Sequence, residues 1–433
     1  ANYYSYSVGI FKNNGNGTFL KGSSIQTGTA PAWVLSVDLD ADGNNDLVTV
    51  NSSSNILSVL KNKGDGSFSL SGEYGTGTNP ISVLSADLDQ DGAVEMITVN
   101  SGQNGLSVLK NKGDGIFAEK IEVTVGIHLR AAFCADLNRD GAPDLAVADD
   151  SLHAVLVLMN TGSGNFAPPI SYRTGMVPVS VIALDPDGDG DFDLAVANRG
   201  SGTVSILQNK GDGTFTGFVA YSTATAPLFL FSTDLNGDRA PDLVVVNAPG
   251  LAMPVGGISV LKNNEDGTFS LEGNYRAGVY PVAAIATDLN SDALADLIVA
   301  NSRSSSITVF LNEGNGVFAS GLDYGTGITP IALSAVDIDG DGDQDIVVAN
   351  RSSNTVSVLK NLSNNGCANK RGDLNHDCSL SIQDIILHIN CTMVNLGDCR
   401  LELTDVNCDG ELSGADIVAL LRTVFLNAPL PCP

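Results

Sequence analysis

Short apolar runs recur along most of the chain, separated by polar segments rich in Gly, Asn, Asp and Ser. In one period the apolar runs are residues 33–37, 47–50 and 56–60, and an outer segment starts at Phe68. Such short, bounded runs predict β-strands, because a buried helix needs about 10 to 12 residues. Each period is therefore predicted to supply four strands, which we name A, B, C and D in chain order.

The predicted B strands are apolar at consecutive positions, as in residues 145–148, 194–197 and 346–349. A strand of this kind is covered on both faces of its sheet. Seven periods are present, with steps of 49 residues except for one step of 54. Four-stranded units of this length, packed face to face, indicate a mainly β protein, a seven-bladed β-propeller. An open solenoid of the same units is the alternative, but it would need atypical polar caps.

An acidic loop joins the predicted A and B strands in every period. Carboxylates or carboxamides occupy its positions 1, 3, 5 and 9, and Ca²⁺ prefers oxygen ligands in such irregular arrangements. We therefore predict up to seven Ca²⁺ ions in the propeller. The predicted ligands are Asp38, Asp40, Asp42 and Asp46; Asp87, Asp89, Asp91 and Glu95; Asp136, Asn138, Asp140 and Asp144; Asp185, Asp187, Asp189 and Asp193; Asp234, Asn236, Asp238 and Asp242; Asp288, Asn290, Asp292 and Asp296; and Asp337, Asp339, Asp341 and Asp345.

The stretches DLDADGNNDLVTVNS, DPDGDGDFDLAVANR and DIDGDGDQDIVVANR, followed by strands such as SVLKNKGDGSF, resemble the FG-GAP/VCBS repeat family. That family includes integrin α-like propellers and many secreted bacterial proteins, and the resemblance covers about residues 1–361. It implies that the acidic loops hold calcium. Arg239 and Ala293 occupy position 6, where most copies have Gly, so loops 5 and 6 are predicted to be weak or distorted.

Strand C occurs eight times, although strands A and B occur seven times, because residues 8–13 (VGIFKN) match residues 356–361 (VSVLKN). The first predicted D strand, residues 19–26, precedes every A strand. Following the circular closure of the resembled family, we expect it to complete blade 7. Residues 1–13 would then be a supernumerary strand, either a flap on an outer edge or a strand that pairs with another molecule.

The pattern changes after Gly372, where two loops follow EF-hand ligand spacing and each runs into a helical apolar pattern. This region, about residues 367–433, resembles a type I dockerin domain and implies two further Ca²⁺ ions. Cys378 stands where a turn glycine is expected in the first loop. The positions at which dockerins of this type usually contact their partner are not Ser or Thr here, so the identity of the binding partner stays open. The predicted ligands are Asp373, Asn375, Asp377, Ser379 and Asp384, and Asp405, Asn407, Asp409, Glu411 and Asp416.

These boundaries divide the chain into a supernumerary N-terminal strand (1–13), a seven-bladed propeller (14–361), a linker (362–371) and a small α-helical, dockerin-like domain (372–433). Six of the seven cysteines lie in residues 367–433, and Cys134 is the other. A dense, even set predicts disulfides and an extracellular or cell-surface location, although the pairing stays open. Zinc binding is the competing interpretation, but paired CxxC spacing is lacking.

The formal net charge of −27 argues against nucleic-acid binding, and no apolar run approaches the ~18 residues of a membrane span. The four histidines are scattered and no nucleophile or phosphate-loop motif is found, so we expect no enzyme. The predicted function is a secreted, calcium-stabilised, non-catalytic scaffold or adhesion protein that binds a protein partner or assembles into an extracellular polymer through the N-terminal strand, the dockerin-like module or both. The alternative is a lectin-like propeller that binds a glycan, or a non-catalytic module of a cell-surface complex.

Overall fold

The computed structural model describes residues 1–362 except residues 16–17, 21, 103–104 and 251–254. The predicted dockerin-like domain, most of the linker before it and six of the cysteines therefore lie outside the described residues. Within the described residues, no helix is long and apolar enough to cross a membrane.

Antiparallel sheets follow one another along the chain, each formed by strands that are consecutive in sequence. A two-stranded sheet, here called the N-terminal hairpin, comes first and is followed by seven blades. The hairpin consists of β1 (Ser7–Ile10) and β2 (Ser23–Gln26). The blades are β3 (Pro31–Val37), β4 (Asp46–Asn51), β5 (Ile56–Asn62) and β6 (Phe68–Gly75); β7 (Pro80–Ala86), β8 (Glu95–Asn100), β9 (Gly105–Leu109) and β10 (Ile121–Thr124); β11 (Leu129–Ala135), β12 (Asp144–Asp149), β13 (Ala154–Leu158) and β14 (Ile170–Arg173); β15 (Pro178–Leu184), β16 (Asp193–Asn198), β17 (Thr203–Leu207) and β18 (Val219–Ser222); β19 (Pro227–Thr233), β20 (Asp242–Asn247), β21 (Val255–Asn263) and β22 (Phe269–Val279); β23 (Pro281–Thr287), β24 (Asp296–Asn301), β25 (Ser306–Phe310) and β26 (Leu322–Gly325); and β27 (Pro330–Val336), β28 (Asp345–Asn350) and β29 (Thr355–Leu359).

The seven-bladed propeller predicted from the periodicity is confirmed. Six buried apolar clusters each join two consecutive blades, from blades 1 and 2 to blades 6 and 7. The B strands of blades 2 to 6 are buried at every position, as expected for strands covered on both faces. Six of the seven A strands begin with proline, which fits the first position of a strand because proline has no N–H to donate.

The expected closure of the ring is wrong in one respect. The N-terminal D strand, β2, pairs with β1 in register from Ser7 opposite Gln26 to Ile10 opposite Ser23. Blade 7 consists of three strands among the described residues, and β29 pairs there only with β28. Strands β1 and β2 are neighbours in sequence, so their pairing closes a short loop at low entropic cost.

The N-terminal hairpin lies between blades 7 and 1 and so makes the array a ring rather than an open solenoid. On the blade 7 side, Asn13 Nδ2 donates to the carbonyl oxygen of Ile338 at 2.6 Å. The Arg351 guanidinium lies 4.7 Å from the ring centre of Tyr3, a cation–π distance. On the blade 1 side, Lys12 Nζ donates to the carbonyl oxygen of Asp65 at 3.0 Å.

An asparagine at the end of strand C links each blade to the previous one. Its side-chain amide donates to the main-chain carbonyl at position 2 of the previous acidic loop, at 2.6 to 2.9 Å. This bond recurs at every junction between consecutive blades, which makes it a repeated inter-blade contact. The donor and acceptor pairs are Asn111 and Leu39, Asn160 and Leu88, Asn209 and Leu137, Asn263 and Pro186, Asn312 and Leu235, and Asn361 and Leu289.

Replacing one of these buried asparagines is expected to weaken its junction. Asn160→Ala removes the amide bonds to the carbonyl oxygens of Leu88 and Pro143, so the free energy of unfolding should fall by about 1–3 kcal/mol, the net contribution of two hydrogen bonds. Asn62→Ala is the matched control, because the Asn62 amide donates to Asn45 in its own blade. Chemical denaturation of both variants measures the difference, and equal losses would contradict the inter-blade role.

Candidate metal centres

All seven acidic loops are closed by the same internal hydrogen bond. The position 1 carboxylate accepts the main-chain N–H of position 6, with distances from 2.8 to 3.1 Å. Position 6 has a positive φ in each loop, for example +84° at Gly43 and +91° at Gly92. Glycine adopts this conformation without a steric penalty, which explains its frequency there. The position 1 aspartate thus shapes the loop in addition to offering an oxygen to an ion.

The position 9 acid joins its loop to strand C. In blade 3, Asp144 accepts the N–H groups of Leu137 at 3.0 Å and Asn160 at 2.6 Å through its two carboxylate oxygens. Glu95, Asp242 and Asp296 do the same in their blades. The sequence predicted these acids only as ligands, and their second role as main-chain acceptors was missed.

Burial raises the pKa of most position 9 carboxyls. The pKa of Asp193 rises to about 7, because burial outweighs the N–H of Asn209 that stabilises its anion. The pKa of Asp144 rises to about 6 for the same main reason, and the carboxylates of Asp140 and Asp136 add to the increase. A nearby divalent cation would favour the charged forms instead.

Four loops bring three acidic side chains together. In each of them, ligand oxygens from the three residues lie within 4.8 Å of one another, so these loops could hold a metal ion. Loops 3, 5 and 6 have Asn at position 3, and in loops 3 and 6 that amide donates to the position 5 carboxylate. The four clusters are Asp38, Asp40 and Asp42; Asp87, Asp89 and Glu95; Asp185, Asp187 and Asp189; and Asp337, Asp339 and Asp345.

Buried carboxylate oxygens in these four loops make no hydrogen bond. They include the Oδ1 atoms of Asp38, Asp40, Asp89 and Asp339 and the Oδ2 atom of Asp193. A buried acceptor without a donor is costly, and a hard cation bound by oxygen ligands would satisfy it. The donor set therefore fits calcium, which would be held by the position 1 and 3 acids, joined by the position 5 acid in loops 1 and 4 and by the position 9 acid in loops 2 and 7. The ligands predicted in the dockerin-like domain lie outside the described residues.

Lysines at the end of strand C reach three of these loops, a feature that the sequence reading missed. Lys110 Nζ lies 3.1 Å from Asp89 and Lys360 Nζ 3.0 Å from Asp339, and Lys61 pairs with Asp40 in blade 1. Each lysine pairs with a position 3 aspartate and partly neutralises its cluster. The signal in the sequence is the LKN that ends strand C, which coincides with Asp at position 3 in these blades.

Loops 5 and 6 place non-glycine residues in the left-handed region, with φ of +74° at Arg239 and +68° at Ala293. Such a conformation costs an alanine roughly 1 kcal/mol relative to glycine. Ala293→Gly should therefore raise the free energy of unfolding by about that amount. Gly92→Ala is the matched opposite change. A Cβ at this position would meet no atom within 4 Å, so the substitution costs only the unfavourable left-handed backbone conformation of alanine. Calorimetry checks the two signs, and a shift in the same direction for both would contradict the explanation.

Other reactive side chains among the described residues have structural contacts. His153 Nδ1 accepts the N–H of Val177 at 3.1 Å, and His128 lies 3.5 Å from a carboxylate oxygen of Asp150. Burial raises the pKa of the Cys134 thiol to about 12, which keeps it protonated and unreactive.

Structural comparison finds propellers with low sequence identity. A putative 6-phosphogluconolactonase from Bacteroides fragilis is 18% identical with a TM-score of 0.56, over 77% of this chain and 94% of that chain. A BBS1N structure in complex with ARL6DN is 16% identical with a TM-score of 0.53, over 82% and 97% of the two chains. An uncharacterised protein from Desulfotomaculum acetoxidans is 12% identical with a TM-score of 0.52, over 75% and 98%. At these identities the likeness shows a shared fold alone.

Comparison with curated protein sequences finds no match. The FG-GAP-like repeat profile, by contrast, matches six overlapping segments, residues 38–98, 87–147, 136–196, 185–245, 234–299 and 288–348. Each segment begins at one acidic loop and ends within strand B of the next blade. The matches together span more than half of the chain, and the chain belongs to the FG-GAP-like repeat family.

Proposed function

We propose that this protein is a secreted, calcium-stabilised scaffold without catalytic activity that acts by binding another protein. The observation that carries the proposal is the set of buried carboxylate oxygens without hydrogen-bond donors in four of the acidic loops. Such oxygens destabilise the fold unless a cation satisfies them. Calcium thereby stabilises the ring of blades. The surfaces outside the acidic loops are then free to bind a partner protein.

The proposed location follows from the same loops. Extracellular calcium modules work with dissociation constants of roughly 10⁻⁴ to 10⁻³ M, and calcium reaches such concentrations outside cells. The six cysteines beyond residue 366 also favour an oxidising compartment. Both arguments support a protein that works outside the cell or at its surface.

The absence of catalysis is proposed from repetition. The acidic clusters recur from blade to blade with the same internal hydrogen bonds, as structural ligands do, whereas a catalytic dyad would be expected once. The contacts of His128 and His153 described above offer no general base beside a nucleophile.

A protein partner is favoured by strand edges near the junction of blades 7 and 1. Among the described residues, β29 has no outer strand, and the edge of β1 away from β2 is bridged at Ser7 alone, by Asn2. Exposed strand edges can accept an added strand from another chain. Self-association into a polymer belongs to the same proposal, because the two edges differ and a head-to-tail contact between them need not close.

Affinity capture tests the proposal. The full chain is immobilised and exposed, in calcium and in EDTA, to proteins secreted by the cells that produce it. We expect defined proteins, or the chain itself, to be retained in calcium and released in EDTA. Retention that does not depend on calcium, or hydrolysis of a test substrate by the purified protein, would contradict it.

Glycan binding is the second candidate, and one observation favours it. Trp33 and Phe229 occupy the same position of their A strands, opposite Val50 and Val246, and both are exposed. Exposed aromatic rings on different blades are suitable platforms for sugars. A glycan array with hits that Trp33→Ala abolishes would support this candidate, and an array without hits would exclude it for the glycans tested.

A further inference from the structure

The strands of each blade end at two opposite rims of the ring. One rim, here called the acidic rim, holds the acidic loops and the C–D turns together, because the position 9 acids accept the N–H group at the end of strand C. The other rim holds the D–A connections and the B–C turns. There the Arg199 N–H donates to the carbonyl oxygen of Val177 at 2.9 Å. Strands of six or seven residues separate the two rims by about 20 Å.

The second rim carries positive charge, although the formal net charge of the chain is −27. We define it as the last paired row of each blade and the described residues beyond that row, and call it the arginine rim. Its charged residues are five arginines and two aspartates, without lysine or glutamate. It consists of residues 26–31, 51–56, 75–80, 100–102 and 105, 124–129, 149–154, 173–178, 198–203, 222–227, 247–250 and 255–257, 276–281, 301–306, 325–330 and 350–355.

The two aspartates of this rim already have partners inside blade 3. Asp149 is fully buried and accepts the main-chain N–H of Ile127 at 2.5 Å. Asp150 pairs with Arg130, which lies just outside the rim. Neither carboxylate therefore neutralises the five arginines.

The five arginines form no ion pair within the described part of the chain. The Arg303 guanidinium lies 4.5 Å from the ring centre of Tyr280, and Arg351 stacks on Tyr3 in the same way. A guanidinium stacked on a ring keeps its N–H groups in plane, where they can bind a carboxylate through two hydrogen bonds. Four of the arginines are exposed and one is half-buried, in the set Arg173, Arg199, Arg276, Arg303 and Arg351.

The positive charge of the arginine rim acts locally despite the acidic loops. At physiological ionic strength the Debye length is about 8 Å, which is shorter than the roughly 20 Å between the rims. An anionic group that approaches the arginine rim therefore meets the arginines, while the field of the acidic loops is screened. Charge complementarity favours an acidic partner at this rim.

Exposed apolar side chains accompany the arginines. Ile127, Met176 and Ile328 occupy the same position in three D–A connections and are 50%, 54% and 59% exposed. Arginine, methionine and aromatic residues, with little lysine or glutamate, are the composition typical of protein–protein interfaces. The arginine rim thus fits a protein surface that is acidic and partly apolar, rather than a polymer that offers charge alone.

The acidic rim of this protein has both properties. Asp65, Asp114 and Asp212 in the C–D turns are exposed and belong to none of the four acidic clusters, so an ion in a cluster leaves their charge in place. Ile116 and Val317, also in C–D turns, are 47% and 38% exposed. The C–D turns therefore offer carboxylates and apolar side chains next to one another.

The two rims also match in size and in repeat. They are formed by opposite ends of the same strands, so both recur at the same blade spacing around the ring. Arg173 and Arg276 lie near the ends of the outer strands β14 and β22, and the C–D turns lead into outer strands at the other rim. A second copy placed on the same axis would therefore bring its C–D turns to the radius of these arginines.

We propose that the arginine rim of one molecule binds the acidic rim of a second copy, so that copies stack face to back. Carboxylates of the C–D turns would accept hydrogen bonds from the guanidinium groups, and the exposed apolar side chains of the two rims would meet. The contact joins two different surfaces and does not close, so it produces a filament. This inference rests on the proposed function in its self-association form, and it places the contact on the rims instead of the strand edges.

Sedimentation velocity of the full chain in excess calcium tests the proposal. We expect species that grow with protein concentration at about 0.05 M salt and that dissociate at about 0.5 M salt, because salt screens exposed charge pairs. Electron microscopy of the low-salt sample should show unbranched filaments.

Variants of the two rims assign the contact. Arg276→Glu combined with Arg303→Glu reverses two charges of the arginine rim, and Asp114→Asn combined with Asp212→Asn removes two charges of the acidic rim. Each double variant should weaken association at least tenfold. Ser171→Glu, on the exposed outer strand β14 between the rims, is the control and should leave association unchanged. Circular dichroism confirms that each variant is folded.

A mixture of the two double variants provides the sharpest result. Each variant keeps one intact rim, so an equimolar mixture contains one functional pair of rims. We expect dimers and no longer species, because the two altered rims cannot continue the stack.

A chain that stays monomeric at every concentration would overturn the proposal, and so would association that the rim variants leave unchanged. Retention of a different acidic protein by a monomeric chain, if Arg276→Glu with Arg303→Glu abolishes it, would assign the arginine rim to that protein and overturn the stack. These results leave the calcium-dependent capture of another protein intact, so failure here is distinguishable from failure of the proposed function.

Discussion

Calcium removal is expected to lower the free energy of unfolding of the propeller by roughly 10 kcal/mol. Four loops combine clustered acids with buried oxygens that lack donors. An ion at one hundred times its dissociation constant stabilises the folded state by about 2.7 kcal/mol per site, and four such sites together give this size. Differential scanning calorimetry of the full chain in excess calcium and in EDTA measures the effect as a large fall in melting temperature.

Two variants show whether the loops cause that effect. Asp187→Ala removes one acid of the blade 4 cluster. It should reduce the calcium-dependent gain in the free energy of unfolding by the contribution of one site, roughly 2.7 kcal/mol. Asp212→Ala, in the C–D turn of the same blade, removes an acid that bonds to Thr214 and belongs to no cluster. Its calcium-dependent gain should equal that of the unaltered chain, and an equal loss in both variants would contradict a loop-specific role.

Acidification is expected to stabilise the metal-free protein. Asp193 and Asp144 have folded-state pKa values of about 7 and about 6, above the ordinary value of an aspartate. Stability that is fully present below about pH 4 is therefore lost as the pH rises through those values, because the folded state binds more protons than the unfolded state. Between about pH 7 and 5 the two groups together contribute about 3 to 4 kcal/mol.

Calcium should reverse this trend, because protonation of the ligands releases the ion. Melting temperatures measured across this pH range should rise toward acid in EDTA and fall toward acid in calcium. Asp193→Asn removes a group that titrates and should flatten the slope in EDTA, while Asp212→Ala serves again as the exposed control. A metal-free melting temperature that falls toward acid over the same range would contradict the assigned pKa directions.

Much of the fold could be predicted because the same pattern of apolar runs and acidic loops occurs seven times along the chain. Strand B is predicted well, since consecutive apolar residues require cover on both faces and blades 2 to 6 provide it. The acidic loops were located by oxygen donors at alternating positions. Their three-dimensional grouping could not be predicted, because a sequence position does not say whether the position 9 acid faces an ion or the main chain.

The ring closure could not be read from strand counting alone. Matching of VGIFKN to strand C identified β1 correctly, but the strand count, together with the expected circular closure, assigned β2 to blade 7, with which it does not pair. Local pairing of β1 with β2 prevails, and both strands then occupy a blade position of their own. The contacts of the inter-blade asparagines join neighbouring blades, so they are invisible within one repeat. The lysines that pair with Asp89 and Asp339 lie in the same blades as these acids, but their pairing depends on how strand C and the acidic loop meet in three dimensions.

The number of calcium ions bound tests the central claim most directly, because the loops are held to be ion sites. A variant with alanine in place of the position 3 acids Asp40, Asp89, Asp187 and Asp339 removes one ligand from each of the four clusters. Equilibrium dialysis with atomic emission counts the ions in this variant and in the unaltered chain, and the C-terminal loops contribute equally to both. We predict that the unaltered chain binds four more ions than the variant. Equal numbers of bound ions would contradict the account.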